Sequence, residues 1–353
     1  MSAPDLGVRP VGVGLIGCGS IAVTAHVPAL QRAAGLARLV IASDVDAGAA
    51  ERLATPLGAT WTTELARVVE HPDVELVILA TPEFGHRAQT EAAAAAGKHV
   101  LCEKPMAPSL EDADAMIAAC ERAGVHLTVG HSRRATTRYS LARDLVRAGR
   151  IGELRLFREN ERRGRAPVGQ EGLYWSRRHW TGDPTRSVGV ALTNAIHETD
   201  LFGWFLGSEP RTVFAETRVT REGGVVPDFI SITATFTSGA VAAAEVNNSA
   251  PPGYPGYHQL ELIGTEGRIT AHDLDQQALT LYRDDGASAP DVFQRLLRFD
   301  DAYLSQLVQM LRAVRGGGLP AVDPRDARQA LQIALAAVAS AASGRPVALG
   351  AGA

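Results

Sequence analysis

Lysine is nearly absent from this chain of 353 residues: of its 35 Lys and Arg residues, all but Lys98 and Lys104 are arginine. Replacement on that scale reads as a coding bias, and it makes each surviving lysine worth a question. Cysteine is scarce too. Cys18, Cys102 and Cys120 form an odd set without CxxC spacing, so no metal ligand set is expected. Two of them sit at the ends of apolar runs, where Cys serves as a small apolar residue. No run of 18 apolar residues is present to span a bilayer. The N-terminus MSAPDLGVRP lacks a basic region followed by an apolar core, so a cytoplasmic protein without a membrane partner is expected. A net charge of −4 gives no reason to expect nucleic acid. The arginine pairs Arg133-Arg134, Arg162-Arg163 and Arg177-Arg178 read mostly as solvated surface.

What is present is an ordinary globular composition, 46% hydrophobic and 21% charged, at a length that suits two domains with separate cores. Up to about residue 130, short Val/Ile/Leu runs alternate with helix-like segments. Val11–Ile16, Leu39–Ser43, Leu76–Ala80, Val100–Cys102 and Leu127–Val129 read as strands covered on both faces. Gly97 and Gly124 stop the helices between them, and Ser109 with Asp112 has capping-box spacing. Such alternation predicts a parallel sheet with right-handed crossovers. Beyond that point the pattern changes to half-exposed alternating runs such as ELRLFRENERR, FISITATFTSGAVAAAEVNN and HQLELIGTEGRITAH, with helices at Thr193–Leu206, Ala302–Arg315 and Asp323–Ser343. The expected architecture is α/β: an N-terminal Rossmann doubly wound parallel sheet over residues 1–130, then a C-terminal α+β domain on an open, mostly antiparallel sheet over 131–353, its last helix packing back on the first domain.

GLIGCGSIA places Gly17, Gly19 and Ala22 at G-x-G-x-x-A spacing between a strand and a helix. The first glycine permits the turn, the second lets backbone approach a pyrophosphate, and the small third residue allows close helix packing. Asp44 ends the next strand. It either accepts the ribose hydroxyls of NAD, repelling a 2′-phosphate, or merely caps the helix of DAGAAERLA. With Arg38 and Arg52 near in sequence, NADP is disfavoured rather than excluded. Thr81 and Pro82 after the third strand, and Glu103 and Lys104 after the fourth, belong at the strand ends where such sheets bind ligands.

Together GLIGCGSIA, ATPEFGH, AGKHVLCEKPMA, GHSRR, ALTNAIHETDLFGWFLG and LELIGTEGRIT resemble the Gfo/Idh/MocA family of NAD(P)-dependent oxidoreductases. The resemblance implies hydride transfer between nicotinamide and a secondary alcohol or ketone of a sugar, inositol, related polyol or glycoside. It implies cofactor contacts at Gly17, Gly19, Ser20, Ile21, Asp44, Thr81, Pro82, His86, Glu103 and Lys104. It also implies a catalytic Lys104 followed by an often cis Pro105, and a catalytic His197. Arg133, Thr193 and Asn194 are the further substrate candidates, and Asp200, at i+3 from His197, is an orienting helper. Many members carry Asp where this chain has Thr193, which cannot act as a carboxylate base. Two other outcomes stay open: a redox-neutral enzyme holding NAD tightly, and a non-catalytic dinucleotide-binding regulator. Tyr174, Trp175, His179 and Trp180 in LYWSRRHW, and Tyr254, Tyr257 and His258 in PPGYPGYH, suit either a sugar ring or a small core. A homodimer or homotetramer through the C-terminal sheet is expected.

Overall fold

The computed structural model describes residues 9–164, 181, 183–184, 186–220, 223–250, 256–272, 280–283, 286–288 and 301–350. Tyr174, Trp175, His179, Trp180 and Tyr254 lie outside these residues. The chain divides into two compact units, Met1–Thr136 with Arg298–Arg328 and Thr137–Leu297 with Gln329–Ala353.

The first unit holds a parallel six-stranded sheet in the order β3-β2-β1-β4-β5-β6. Its strands are β1 Val11–Ile16, β2 Ala37–Ser43, β3 Thr60–Thr62, β4 Leu76–Leu79, β5 His99–Cys102 and β6 Leu127–Val129. Every residue of β1 and β4 is buried, as expected for strands with helices on both faces. The three-residue edge strand β3 was not legible in the sequence, being too short to show a period. Ser109 caps its helix as its spacing predicts, accepting the Asp112 N–H at 3.1 Å. Gly97 and Gly124 adopt positive φ at helix ends. The helix Asp301–Val314 supplies Leu307, Met310 and Leu311 to this unit's core.

The second unit is built on a nine-stranded sheet in the order β14-β13-β12-β11-β7-β10-β9-β8-β15. These strands are β7 Leu154–Gly164, β8 Pro210–Arg218, β9 Phe229–Phe236, β10 Val241–Ala250, β11 Tyr257–Gly264, β12 Gly267–His272, β13 Thr280–Arg283, β14 Gly286–Ser288 and β15 Val347–Ala348. Only β7 and β10 run parallel; the other described pairs are antiparallel. Alternation along β7 buries Phe157, Glu159 and Glu161 and exposes Arg158. Phe157 packs on Phe202 and Phe205, with ring centroids 5.3 and 5.4 Å apart.

The helix expected at Thr193–Leu206 is interrupted. One turn spans Val190–Thr193, and a separate helix runs Ile196–Leu206. Asn194 breaks the first at φ −129°, where its side chain is drawn towards β10. Tyr257, expected in a loop, instead opens β11, one residue ahead of the run expected from His258.

Candidate active site

The turn after β1 is built as its glycines require. Gly17 has φ +93°, and a Cβ there would meet Ala80 O at 2.5 Å, whereas a Cβ on Gly19 would meet nothing within 4 Å. The first glycine is therefore demanded by the fold, and the second leaves open ground over the backbone. Ala22 is buried where helix and strand approach. Asp44 stands at the end of β2, accepting the Cys18 N–H at 2.7 Å and the Asp46 N–H at 2.9 Å. The helix of DAGAAERLA is capped by Asp46, whose side chain accepts from Gly48 and Ala49. Asp44 thus braces the glycine turn and retains lone pairs for further donors. Arg38 is paired with Asp73 at 2.8 Å, and Arg52 lies 3.9 Å from Asp46.

Behind the turn the chain forms a π-helical turn, Ala22–His26, before the helix Val27–Arg32. Pro28 lacks an N–H for the usual helical bond to Thr24, so the widened turn fits this sequence. It carries His26 inward, where Nε2 lies 2.9 Å from Glu103 Oε1 with both side chains buried. Tyr303 packs against the imidazole with the two rings nearly perpendicular. The other Glu103 oxygen accepts the Lys104 backbone N–H at 3.2 Å. Burial alone would push the Glu103 carboxyl up, but the His26 hydrogen bond and charge, with Lys104, hold it below the ordinary glutamate value. The Lys104–Pro105 bond is cis. Lys98 spends its ammonium on the His71 carbonyl at 3.2 Å.

His86 lies deeper than the other expected cofactor contacts on its segment, Thr81 and Pro82. Expected among the cofactor contacts, it is fully buried in this structure. Its Nε2 lies 2.9 Å from Thr81 O, and its Nδ1 lies 3.1 and 3.2 Å from the carbonyls of Pro105 and Met106. Burial lowers its pKa, against the opposing pull of those carbonyls and of Glu103. It staples the segment after β4 to the segment after β5. The thiols of Cys18 and Cys120 are pushed up to about 12 by burial, which leaves them inert.

Arg133 and Arg134, read as surface, are buried. Arg134 pairs with Asp326 at 2.7 Å, at the start of the helix Pro324–Ser343. In the second unit, Thr193 donates its hydroxyl to Gly189 O at 3.1 Å, so only its lone pairs face other partners. Asn194 Oδ1 accepts from Asn248 Nδ2 at 3.0 Å, leaving the Asn194 amide N–H groups to donate. His197 and Asp200 lie buried on the next helix. Sequence spacing did not reveal Asn248, nor the grouping of Glu159, Glu198 and His258, whose donor atoms lie within 4.8 Å of one another. These residues come from two strands and a helix, and only the sheet register unites them. Tyr139 donates its hydroxyl to Glu159. His26 had a faint signal: a histidine in the first turns behind the glycines with a proline two residues on.

Residues 11–131 match the model of the oxidoreductase family with an NAD-binding Rossmann fold, and residues 143–349 match that family's C-terminal alpha/beta domain. The chain belongs to the Gfo/Idh/MocA family. It is an NAD-dependent oxidoreductase acting on CH–OH groups. Among its relatives in this family is the scyllo-inositol 2-dehydrogenase (NAD(+)) of Bacillus subtilis, 30% identical over 89% of each chain. The 1,5-anhydro-D-fructose reductase of Ensifer adhaerens is 30% identical over 94% of this chain and 96% of its own. The WlbA dehydrogenase of Chromobacterium violaceum, solved with NADH and UDP-GlcNAcA, superposes with a TM-score of 0.82 at 26% identity and covers 99% of both chains. The open backbone at Gly19 and the bracing carboxylate of Asp44 fit the dinucleotide that the family binds.

Asp44→Asn should weaken NADH binding about 10- to 100-fold, the cost of a charge-assisted hydrogen bond, as read by fluorescence titration; unchanged affinity would remove Asp44 from the cofactor site. Glu103 also gives a pH prediction. Its lowered folded pKa means that its stabilisation is complete above about pH 4.3, the unfolded value, and is lost as pH falls through the folded value. The thermal midpoint should therefore drop more steeply between about pH 5 and 3 in the wild type than in Glu103→Gln, and parallel profiles would contradict this.

Proposed function

We propose that this chain interconverts a secondary alcohol and a ketone on a sugar, inositol or related polyol, with Lys104 and His197 as its catalytic residues. It would work in the cytoplasm as a homodimer or homotetramer. The observation that carries the proposal is the hold on Lys104: a buried carboxylate accepts its backbone N–H, and a buried imidazole stands behind that carboxylate. A lysine on a mobile surface segment would receive no such bracing. The names of the relatives, an inositol dehydrogenase and an anhydrofructose reductase, favour polyol and sugar substrates.

Bound NAD would supply the acceptor for the carbon-bound hydrogen, contacting Gly17, Gly19, Ser20, Ile21, Asp44, Thr81, Pro82, Glu103 and Lys104. Lys104 donates a hydrogen bond to the reacting oxygen and stabilises the charge that grows there. His197 accepts the hydroxyl proton, a task suited to an imidazole near neutral pH. Asn194, its oxygen committed to Asn248, donates to a substrate oxygen. Thr193, whose hydroxyl donates to Gly189, is a further substrate contact. Arg133 holds further substrate oxygens. Residues 1–130 serve the dinucleotide and 131–353 the substrate and assembly, the latter through the sheet face that exposes Phe214 of β8. Among the described residues no helix is long and apolar enough to cross a membrane.

An absorbance screen of inositols, sugars and glycosides with NAD⁺ or NADP⁺ tests the chemistry. Turnover should appear with NAD⁺, and Lys104→Ala should lower it about 10²- to 10⁴-fold while NADH still binds; full activity in that variant would sink the assignment. Light scattering should report a dimer or tetramer, and a monomer at working concentration would overturn the assembly.

A further inference from the structure

A second buried carboxyl lies on the Lys104 side of the sheet, in surroundings opposite to those of Glu103. Glu83 opens the short turn Glu83–Gly85 that follows Pro82 at the carboxyl end of β4. It is 5% exposed, and its Oε2 meets no hydrogen-bond donor among the described residues. Burial pushes its pKa up, against its own N–H and the charge of Lys104.

The placement is set by geometry. Leu79 of β4 pairs with Cys102 of β5, so the chains leaving these strands carry Glu83 and Lys104 to the same edge. The His86 staple then binds the two segments together, through Thr81 on one side and Pro105 and Met106 on the other. The register and the staple together bring the segment of Glu83 to the segment of Lys104, and the lysine charge acts on the Glu83 carboxyl. A buried carboxyl oxygen without a donor is rare in folded proteins and asks for a reason.

We propose that Glu83 is a positioning residue for Lys104, the buried carboxylate whose charge holds the lysine in its ammonium form. The proposal rests on the assignment of Lys104 as the group that holds the reacting oxygen. Two carboxyls in contrasting environments divide the work. Glu103, paired with His26, fixes the backbone at Lys104, while Glu83 faces the side-chain charge. Titratable groups near them include His26 behind Glu103, the buried His86 and the buried Cys102, and the variants below leave all three in place.

The scarcity of lysine makes a direct test possible. Lys98→Arg leaves Lys104 as the sole lysine, and its ¹³C-dimethylated amine can be titrated by NMR without any substrate. In that background the Lys104 signal should show its own midpoint and a smaller inflection on the acid side from Glu83. Adding Glu83→Gln should abolish the smaller inflection and lower the Lys104 midpoint by about 1 pH unit, as expected for loss of a nearby opposite charge; Glu83→Asp should restore part of both. An unchanged titration in Glu83→Gln would overturn the proposal. Should that variant fail to fold, absence of the acid-side inflection in the Lys98→Arg protein would do the same. Activity separates the two assignments. An active Lys104→Ala enzyme removes the catalytic lysine whatever the titration shows, whereas an inactive one with no Glu83 effect removes only Glu83.

Discussion

Glu103 is a charge taken out of water, and the first unit is arranged around keeping it there. A buried carboxylate costs several kcal/mol unless partners replace its hydration. Here His26 takes one oxygen and the Lys104 N–H the other. His26 reaches it only because the chain behind the glycine turn widens into a π-helical turn. The segment behind the glycine turn is thereby tied to the segment that carries the lysine. Removing either partner leaves an unpaired charge in the core, which is why the acid behaviour of Glu103 reports on the whole arrangement.

Asp44 plays a similar double part at the other side of the glycine turn. Its two backbone hydrogen bonds brace Cys18 and Asp46, and its remaining lone pairs suit ribose hydroxyls. The arginines that would favour a 2′-phosphate are engaged with Asp73 and Asp46. A carboxylate at this strand end suits the ribose hydroxyls of NAD better than a 2′-phosphate.

In the second unit the departure at position 193 is accompanied by a small network of committed groups. Thr193 has spent its proton on Gly189, and Asn194 has spent its oxygen on Asn248. With its oxygen committed, the Asn194 side chain turns its N–H groups outward from that contact. The helix break at Asn194 lets this happen, because a continuous helix would hold the 193–196 backbone to helical dihedrals and could not turn the Asn194 amide towards β10. Glu159, Glu161, Glu198 and His258 gather on the covered face of the same sheet, where alternation along β7 points every second side chain inward.

The sequence by itself determined the parallel sheet, the glycine turn, and the caps at Ser109 and Gly124. These rest on contacts within a few residues or on a period of apolar side chains, both of which are local. Tertiary structure alone decided the partnership of His26 with Glu103, the retreat of His86 into the core, the placement of Glu83, and the contact between Asn194 and Asn248. Each of these depends on strand register and helix packing that bring together residues from separate elements. A buried polar atom is satisfied by whatever the fold sets beside it, and the linear order of residues does not carry that information.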